Sequence, residues 1–340
     1  MNTSVILLTY NSEDYLDDCI SSILKNINND DQLLIIDNNS TDNTKKILKK
    51  YKNVADVFLC DKNLGVSGGR NLAAKLAKND LLAFIDSDII LNDGSLRVAK
   101  ETFAKCNADA VIGLFEDVGS GYNWFIEMRR EIYSPKRKPT FKKNISLKNF
   151  ACFCGGLCLI DKQIFNKYHG YDISYNNYPS EDVNLELLML RDHLTIIFEK
   201  KFCGKHYKKN MSLNGLFKKF YKNGVAVVKL IKSSIQNKYK IPFNNSWPYL
   251  PIIPILEIFL LVLSFFVNWL IIPFIFFCLV RVLPVFIRSK RGVIYNVRFI
   301  IIRFFLDIFM FFSMLYVLVF KMDCKNVQIK YSLKKLSEGD

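Results

Sequence analysis

Three apolar runs within residues 1–90 each end abruptly in polar side chains: Ser4 to Leu8 in Thr9, Tyr10 and Asn11; Leu33 to Ile36 in Asp37 through Asp42; Leu81 to Ile85 in Asp86, Ser87 and Asp88. Short continuous apolar runs closed by turn formers read as strands buried on both faces. Between them the period changes to that of helices. Ser12 serves as an N-cap, Glu13 and Asp14 fill the first turn, and Tyr15, Leu16, Cys19, Ile20, Ile23 and Leu24 recur at helical spacing. A second helix is expected over Thr44–Tyr51, a further strand over Val54–Cys60, and a Gly-rich loop over Asn63–Asn71 that opens a helix over Asn71–Ala77. Such alternation calls for a parallel sheet with helices on both faces. Ligands of these sheets gather at the carboxyl ends of the strands, so the three polar clusters belong to one edge.

The Gly-rich loop matches neither G-x-G-x-x-G nor the Walker pattern, which weakens the dehydrogenase and ATPase readings. Asp86 and Asp88, one residue apart after a buried strand, repel each other unless a cation or a proton comes between them. Standing alone the pair would read as a solvated turn. Beside two other polar strand ends it reads as a site for Mg²⁺ or Mn²⁺, whose hard oxygen chemistry also suits substrate phosphates.

With 340 residues, half of them hydrophobic and 14% aromatic, the chain has ample material for a core, which excludes disorder. Its net charge of +15 is uneven: residues 1–100 carry 12 Lys/Arg against 14 Asp/Glu, residues 101–240 carry 24 against 13, and residues 241–340 carry 11 against 5. The basic excess therefore begins in the middle. Nine scattered cysteines suit a reducing compartment. Cys152, Cys154 and Cys158, with Cys203 and His206, lack the usual zinc spacing, and small buried hydrophobes are the better reading.

SerValIleLeuLeuThrTyrAsn, IleIleAspAsnAsnSerThrAspAsn, AsnLeuGlyValSerGlyGlyArgAsn and PheIleAspSerAsp follow one another in an order and at a spacing that resembles the nucleotide-sugar-dependent glycosyltransferases of family 2, with the GT-A fold. GlyGlyLeuCysLeuIle (155–160), GlyTyrAsp (170–172) and SerGluAspValAsnLeuGlu (180–186) extend the resemblance, which covers roughly residues 3–212. It implies a Rossmann-like, mostly parallel α/β sheet flanked by helices. It also implies that Asp86 and Asp88 hold a divalent cation across the donor diphosphate, and that Thr9, Tyr10, Asn11, Asp37 and Asn38 meet the nucleoside. Many relatives carry Asp where Asn38 stands. Arg70 and Asn71 are implied near the phosphates, with a plain helix N-terminal role for Asn71 as the alternative.

By the same resemblance Asp182 is the general base that deprotonates the acceptor hydroxyl as it attacks the anomeric carbon, an in-line displacement that inverts the centre. Glu181 orients the acceptor or caps the helix that follows; both carboxylates also suit a helix N-terminus. His206 aligns with a metal- or diphosphate-touching histidine of some relatives, an ordinary surface imidazole being the alternative.

Between Lys200 and Lys240 there are 12 basic residues and no acidic one. No nucleic-acid-binding module accompanies them, and Leu213, Leu216, Phe217, Phe220, Val225, Val228, Leu230 and Ile231 alternate with lysines as in a basic amphipathic helix lying on anionic lipid. A second basic group, Arg129, Arg130, Lys136, Arg137, Lys138, Lys142 and Lys143, is expected to attract a lipid phosphate or to be solvated. From Tyr249 to Ile287, 39 residues carry only Glu257 and Arg281 as charges. That length suits a hairpin of two membrane helices, Leu250–Asn268 and Trp269–Ile287; a third run over Phe299–Phe320 either crosses and exports the basic tail or forms an in-plane or re-entrant helix that keeps it inside.

The expected organisation is a catalytic domain over 1–212, an interfacial segment over 213–248, a transmembrane region over 249–320 and a basic tail over 321–340, with the catalytic domain facing the cytoplasm from a multi-pass cell-membrane protein. The N-terminus lacks the basic, apolar pattern of a secretory signal. The expected activity is transfer of one sugar from a nucleoside diphosphate donor to a lipid-linked or membrane-proximal glycan; no Q-x-x-R-W motif of processive synthases occurs. Two other classes compete. A sugar nucleotidyltransferase would carry a glycine-rich basic loop after the first strand, where ThrTyrAsnSerGluAsp stands instead. A non-catalytic nucleotide-binding membrane protein would bind nucleoside diphosphate without turnover.

Overall fold

The computed structural model describes residues 1–118, 143–144, 155–176, 178–207, 212–239, 252–264, 267, 271–288, 292–319 and 332–337. The strands are β1 (Thr3–Thr9), β2 (Gln32–Asp37), β3 (Asp56–Cys60), β4 (Leu81–Asp86), β5 (Ile89–Leu91), β6 (Ala110–Val118), β7 (Lys143–Asn144), β8 (Leu157–Asp161), β9 (Ile196–Tyr207) and β10 (Leu333–Lys335). The helices are α1 (Leu16–Leu24), α2 (Thr44–Leu48), α3 (Gly65–Leu76), α4 (Ser95–Lys105), α5 (Lys162–Lys167), α6 (Glu181–Arg191), α7 (Leu213–Asn237), α8 (Ile252–Ser264), α9 (Ile271–Arg288) and α10 (Val293–Val319).

The strands form one sheet in the order β10-β3-β2-β1-β4-β8-β6-β9-β5, with β7 beside β9. Both faces are covered. Ile6, Leu34, Ile36, Leu82 and Phe84 pack with Leu72 and Ala73 of α3 and Leu185, Leu187 and Met189 of α6. Val5, Leu7, Leu33, Ile35 and Leu81 pack on the opposite face with Ile20 and Ile23 of α1 and Leu96 and Ala99 of α4. Successive strand residues alternate between these two cores, which is why the runs are apolar without interruption.

The expectation of a mostly parallel sheet needs correction. β1, β2, β3 and β4 pair in parallel, but β8 joins β4 antiparallel, β6 joins β8 antiparallel and β5 joins β9 antiparallel. The strand–helix alternation governs only the first four strands; beyond β4 the sheet is mixed.

Two helix starts also differ. α1 begins at Leu16, and Ser12 does not cap it through its side chain: the hydroxyl pairs with Ser87 at 2.7 Å and accepts from Tyr10 N at 3.3 Å. α3 begins at Gly65, so most of the Gly-rich segment is helical. Its first amides need no residue of the helix as a cap: Asn38 Oδ1 accepts from Leu64 N at 2.7 Å and Asn176 Oδ1 from Gly68 N at 3.0 Å. Gly65 itself has φ 71°, and a Cβ there would meet Asn176 at 2.5 Å.

α7 is a 25-residue helix, as its amphipathic pattern requires. Much of its apolar side is covered within the protein, while Leu213, Ile231 and Ile235 stay exposed. Leu216 and Phe220 pack with Phe299, Leu306 and Met310 of α10, and Val225 and Val228 pack with Val317. Lys229 turns inward, donating to Ser174 O at 2.8 Å over the rings of Tyr175 and Tyr178. β9 runs on through Lys200, Lys201, Lys205 and His206, so the basic run divides between a strand and α7.

The basic tail is not free either. β10 pairs antiparallel with β3, Leu336 is buried in the core, and Lys335 donates to Asp56 at 2.6 Å. Along the two segments of the expected apolar hairpin lie α8, of 13 residues, and α9, of 18. Among the described residues, one helix is long and apolar enough to cross a membrane by length and composition, over Asn296–Val319. Arg129, Arg130, Lys136, Arg137, Lys138, Lys142, Cys152 and Cys154 lie outside the described residues, and only the backbone is described at Lys143.

Candidate active site

The carboxyl ends of β1 and β2 are tied together by their own polar side chains. Thr9 Oγ1 donates to Asp37 Oδ1 at 3.3 Å, and Asp37 Oδ2 accepts from Ser40 N at 3.1 Å. Asn11, at φ 51°, donates its N–H to Ser40 Oγ and accepts from Thr41 N at 2.9 Å. Thr9 and Asp37 are fully buried, whereas half of Tyr10 is exposed. Asn38 is buried with its amide engaged: Nδ2 donates to Asn63 Oδ1 and Gly65 O, both at 3.1 Å, while Oδ1 caps Leu64. Asn38 therefore shapes the turn into α3.

At the end of β4 the geometry centres on Arg70. From the second turn of α3 its guanidinium reaches Asp86 Oδ1 at 2.5 Å through Nη2 and Glu181 Oε1 at 3.1 Å through Nη1. It also lies 5.5 Å from the centre of the Tyr171 ring. Burial pulls the guanidinium down, but Asp86, Tyr171 and Glu181 outweigh it and hold the group charged, above its ordinary value. Asn71, one residue on, is no helix cap. Its amide donates to Tyr171 O at 2.7 Å and accepts from Tyr171 N at 2.8 Å, fixing the ring beneath the guanidinium.

Asp182 enters from the N-terminus of α6, just after Ser180, which sits in the left-handed region at φ 87°. Its Oδ2 accepts from Gly155 N at 3.0 Å and its Oδ1 from Val183 N at 2.8 Å. Gly155 and Gly156 separate the two aspartates: a Cβ on Gly155 would stand 2.9 Å from both Arg70 and Asp182, and one on Gly156 would overlap the Asp86 carboxylate. Only glycine lets Asp86 and Asp182 come so close around Arg70. Burial raises Glu181, and the charge of Asp182 adds to the rise against the pull of Arg70. Burial raises Asp182 too, opposed by the Gly155 N–H, Arg70 and the Val183 N–H. Asp182 remains partly exposed, and each of its oxygens has room for a further donor.

Asp88 and His206 form a second group. His206 Nε2 lies 3.1 Å from Asp88 Oδ2, and the β5–β9 ladder sets the pair through Tyr207 N, which donates to Asp88 O at 2.8 Å. Phe115 packs edge-on against the imidazole. The pair fits half of a divalent-cation site, one carboxylate oxygen and one imidazole nitrogen side by side. Among the described residues, no group of three or more His, Cys, Asp or Glu could hold a metal ion without outside ligands. Asp86, expected beside Asp88 on the cation, has its Oδ1 engaged by Arg70. Cys158 is buried in the core, where burial pushes its thiol up to about 12.

Asp86, Arg70, Glu181 and Asp182 thus meet, although 112 positions divide Arg70 from Asp182 in the chain. Sequence reasoning missed the bridging role of Arg70, the ring of Tyr171 under it and the brace supplied by Asn176. The GlyTyrAsp and GlyGly segments were the available signals.

Residues 4–169 match the family model described as glycosyl transferase family 2. This stretch, just under half of the chain, is similar to the glycosyltransferase family 2 domain. The chain is 28% identical over 213 residues to the UDP-Glc:alpha-D-GlcNAc-diphosphoundecaprenol beta-1,3-glucosyltransferase WfgD of Escherichia coli, covering 62% of this chain and 78% of WfgD. It is 35% identical over 123 residues to the poly(ribitol-phosphate) beta-N-acetylglucosaminyltransferase TarP of Staphylococcus aureus, covering 35% of this chain but only 38% of TarP. Two solved structures share its fold. Staphylococcus aureus TarS 1–349 in complex with UDP has a TM-score of 0.50 at 20% identity, over 67% of this chain and 66% of that one. GalNAc-T7 with UDP, GalNAc and Mn²⁺ has 0.52 at 15% identity, over 71% and 55%. The α/β part of the chain therefore has the GT-A-like architecture, with the sheet mixed beyond β4.

Proposed function

We propose that the protein is a membrane-attached inverting glycosyltransferase that moves one sugar from a UDP-sugar to a lipid-linked or membrane-proximal glycan. The observation that carries this reading is the convergence of Asp86 and Asp182 on the two sides of Gly155–Gly156, around the buried Arg70. The names of WfgD and of the UDP-bound TarS support UDP as the nucleotide, and the diphosphoundecaprenol in the name of WfgD supports a lipid diphosphate on the acceptor.

In this mechanism Asp182 accepts the proton of the acceptor hydroxyl. A carboxylate lifted by burial is a stronger base than one in water. Arg70 fixes Asp86 and Glu181 in the floor of the cleft, and Tyr10 flanks the nucleoside at its mouth. Asp88 and His206 would hold Mg²⁺ or Mn²⁺, which when bound neutralises charge on the departing diphosphate.

The test is transfer from UDP-Glc and UDP-GlcNAc to acceptors extracted from membranes, with the product anomer read by NMR. Asp182→Asn should lose about 10²- to 10⁴-fold in turnover, the usual contribution of a general base, with UDP affinity unchanged. Transfer by this variant at the parent rate would remove Asp182 from the role. Retention of the donor's anomeric configuration would overturn the single-displacement mechanism.

A further inference from the structure

α10 has two apolar faces: one packs on α7, and much of the other is exposed among the described residues. Phe299, Leu306, Met310 and Val317 face α7, while Ile294, Val297, Ile301, Phe305, Phe312 and Val319 point outward, each more than two-fifths exposed. α9 adds Ile272, Ile275, Leu279 and Leu283 to the uncovered surface. An apolar strip along a helix of 27 residues, about 40 Å at 1.5 Å per residue, calls for an apolar surrounding. Hydrocarbon of a bilayer is the occupant that fits, since α7, packed beside α10, carries exposed Lys218, Lys222 and Lys232, and α10 itself exposed Arg298, charge of the sign that anionic headgroups attract. The remaining question is whether the helix crosses the bilayer or lies along it.

The contacts between α10 and α7 advance together along both helices. Arg303 lies over the Phe220 ring, Phe309 packs on Phe217 and Tyr221, Gly224 meets Met310 and Ser313, and Val225 and Val228 meet Val317. α7 therefore accompanies α10 in parallel from Arg303 to Val317, about 21 Å of helix. α7 is in turn bound to the α/β domain, through Lys229 to Ser174 O, and through Ser233 and Tyr239 to Asn184 Oδ1 at 2.7 and 2.8 Å. An α10 set across the bilayer would draw α7 and its exposed lysines into hydrocarbon, at about 2.5 to 3.5 kcal/mol for each lysine near the centre. The tail adds an independent constraint. β10 belongs to the same sheet as β1 to β4, so the chain leaves α7 and returns to β10 on one side of the membrane. The number of crossings between them is even, which a single spanning α10 violates.

We infer that α10 is an in-plane helix, its outward strip sunk into one leaflet and its inner face roofed by α7, with the α/β domain and the C-terminal strand on the same side. The bilayer then lies on the side of α6, the helix that begins with Glu181 and Asp182. This rests on the membrane attachment proposed above and is independent of the sugar-transfer chemistry.

The experiment uses the full chain in vesicles of phosphatidylcholine and phosphatidylglycerol. With Trp124, Trp247 and Trp269 changed to Phe, Ile301→Trp and Phe312→Trp are made separately and quenched by lipids brominated at graded acyl depths. These positions are eleven residues apart, about 16 Å along the axis. The in-plane helix gives both tryptophans one depth, about 5 to 10 Å below the headgroup boundary; depths differing by about 16 Å overturn it. In parallel, a C-terminal tag on the otherwise unchanged chain should be cut by protease added to the face that digests the α/β domain. A protected tag beside a digested domain overturns the inference. Failure to float with vesicles, or a strip covered by a second copy in solution, overturns it together with membrane attachment, while transferase activity in the same preparation stays as a separate readout.

Discussion

Replacing Arg70 by methionine keeps the volume in the floor of the cleft and removes the bridge it makes from Asp86 of β4 to Glu181 of α6. The guanidinium is 6% exposed and the Glu181 side chain 11%, whereas Asp86 is 41% exposed and can turn to water. Removing one partner of a buried ion pair costs about 3 to 5 kcal/mol, and solvent screening at Asp86 places this case near the lower limit, about 3 kcal/mol. For a domain of this size that corresponds to a fall in Tm of roughly 6 to 12 °C. The loss depends on pH. Glu181 and Asp182 already have raised folded-state values, and without Arg70 both rise further. A carboxyl raised on folding contributes stability that is complete below its unfolded value, 4.5 for Glu, and fades as pH climbs through its folded value. The deficit of Arg70→Met should therefore be largest near pH 8 and shrink toward about pH 5, where the carboxyls take up protons. Thermal unfolding of the full chain in mild detergent at both pH values measures it. Arg70→Met with Glu181→Gln should recover part of the loss at the higher pH. A deficit that is equal at the two pH values, or under about 1 kcal/mol, would refute the assignment of Arg70 as the charge that holds these carboxylates.

Asn38→Asp puts an anion against Asn63 Oδ1 and Gly65 O in place of a donor; an unmet buried polar group costs about 1 to 3 kcal/mol, visible as a lower unfolding midpoint, and a neutral result would show that the amide is dispensable. Leu336→Ala, at a site 4% exposed, should cost about 2 to 5 kcal/mol in the same measurement. His206→Ala and Asp88→Asn should each weaken the Mn²⁺-dependent part of UDP binding in calorimetry while leaving metal-free binding as it was. Equal Mn²⁺ enhancement in parent and variants would remove the pair from the cation site.

The first four strands and the edge they serve were legible because a buried parallel strand leaves a plain record, an apolar run cut off by polar side chains. Asp86 was legible as a candidate because its strand end stands beside two other polar ones, and Asp182 through the resemblance carried by SerGluAspValAsnLeuGlu. What joins them was hidden. Arg70 sits within a glycine-rich helix start, and nothing local distinguishes a buried guanidinium from a solvated one; its partners are 16 and 111 positions away. The start of α3 was misplaced because its amides are satisfied by Asn38 and Asn176, whose side chains are remote in sequence from the helix they cap. The inward turn of Lys229 escaped notice for a similar reason: a lysine on an amphipathic helix is ordinarily solvated, and this one finds a carbonyl and two rings supplied by the loop before α6. The polarity of strands beyond β4 depends on pairings among distant segments, which local alternation does not encode.

The three residues of β10 seal the flank of β3, whose other side is taken by β2. A fragment cut before α8 to gain solubility would strip that seal and leave Asp56–Cys60 with a bare row of amides and carbonyls, a template for pairing with another copy. Shortening the chain to remove its greasy helices would thus create a new route to aggregation, on the opposite flank of the sheet from β9.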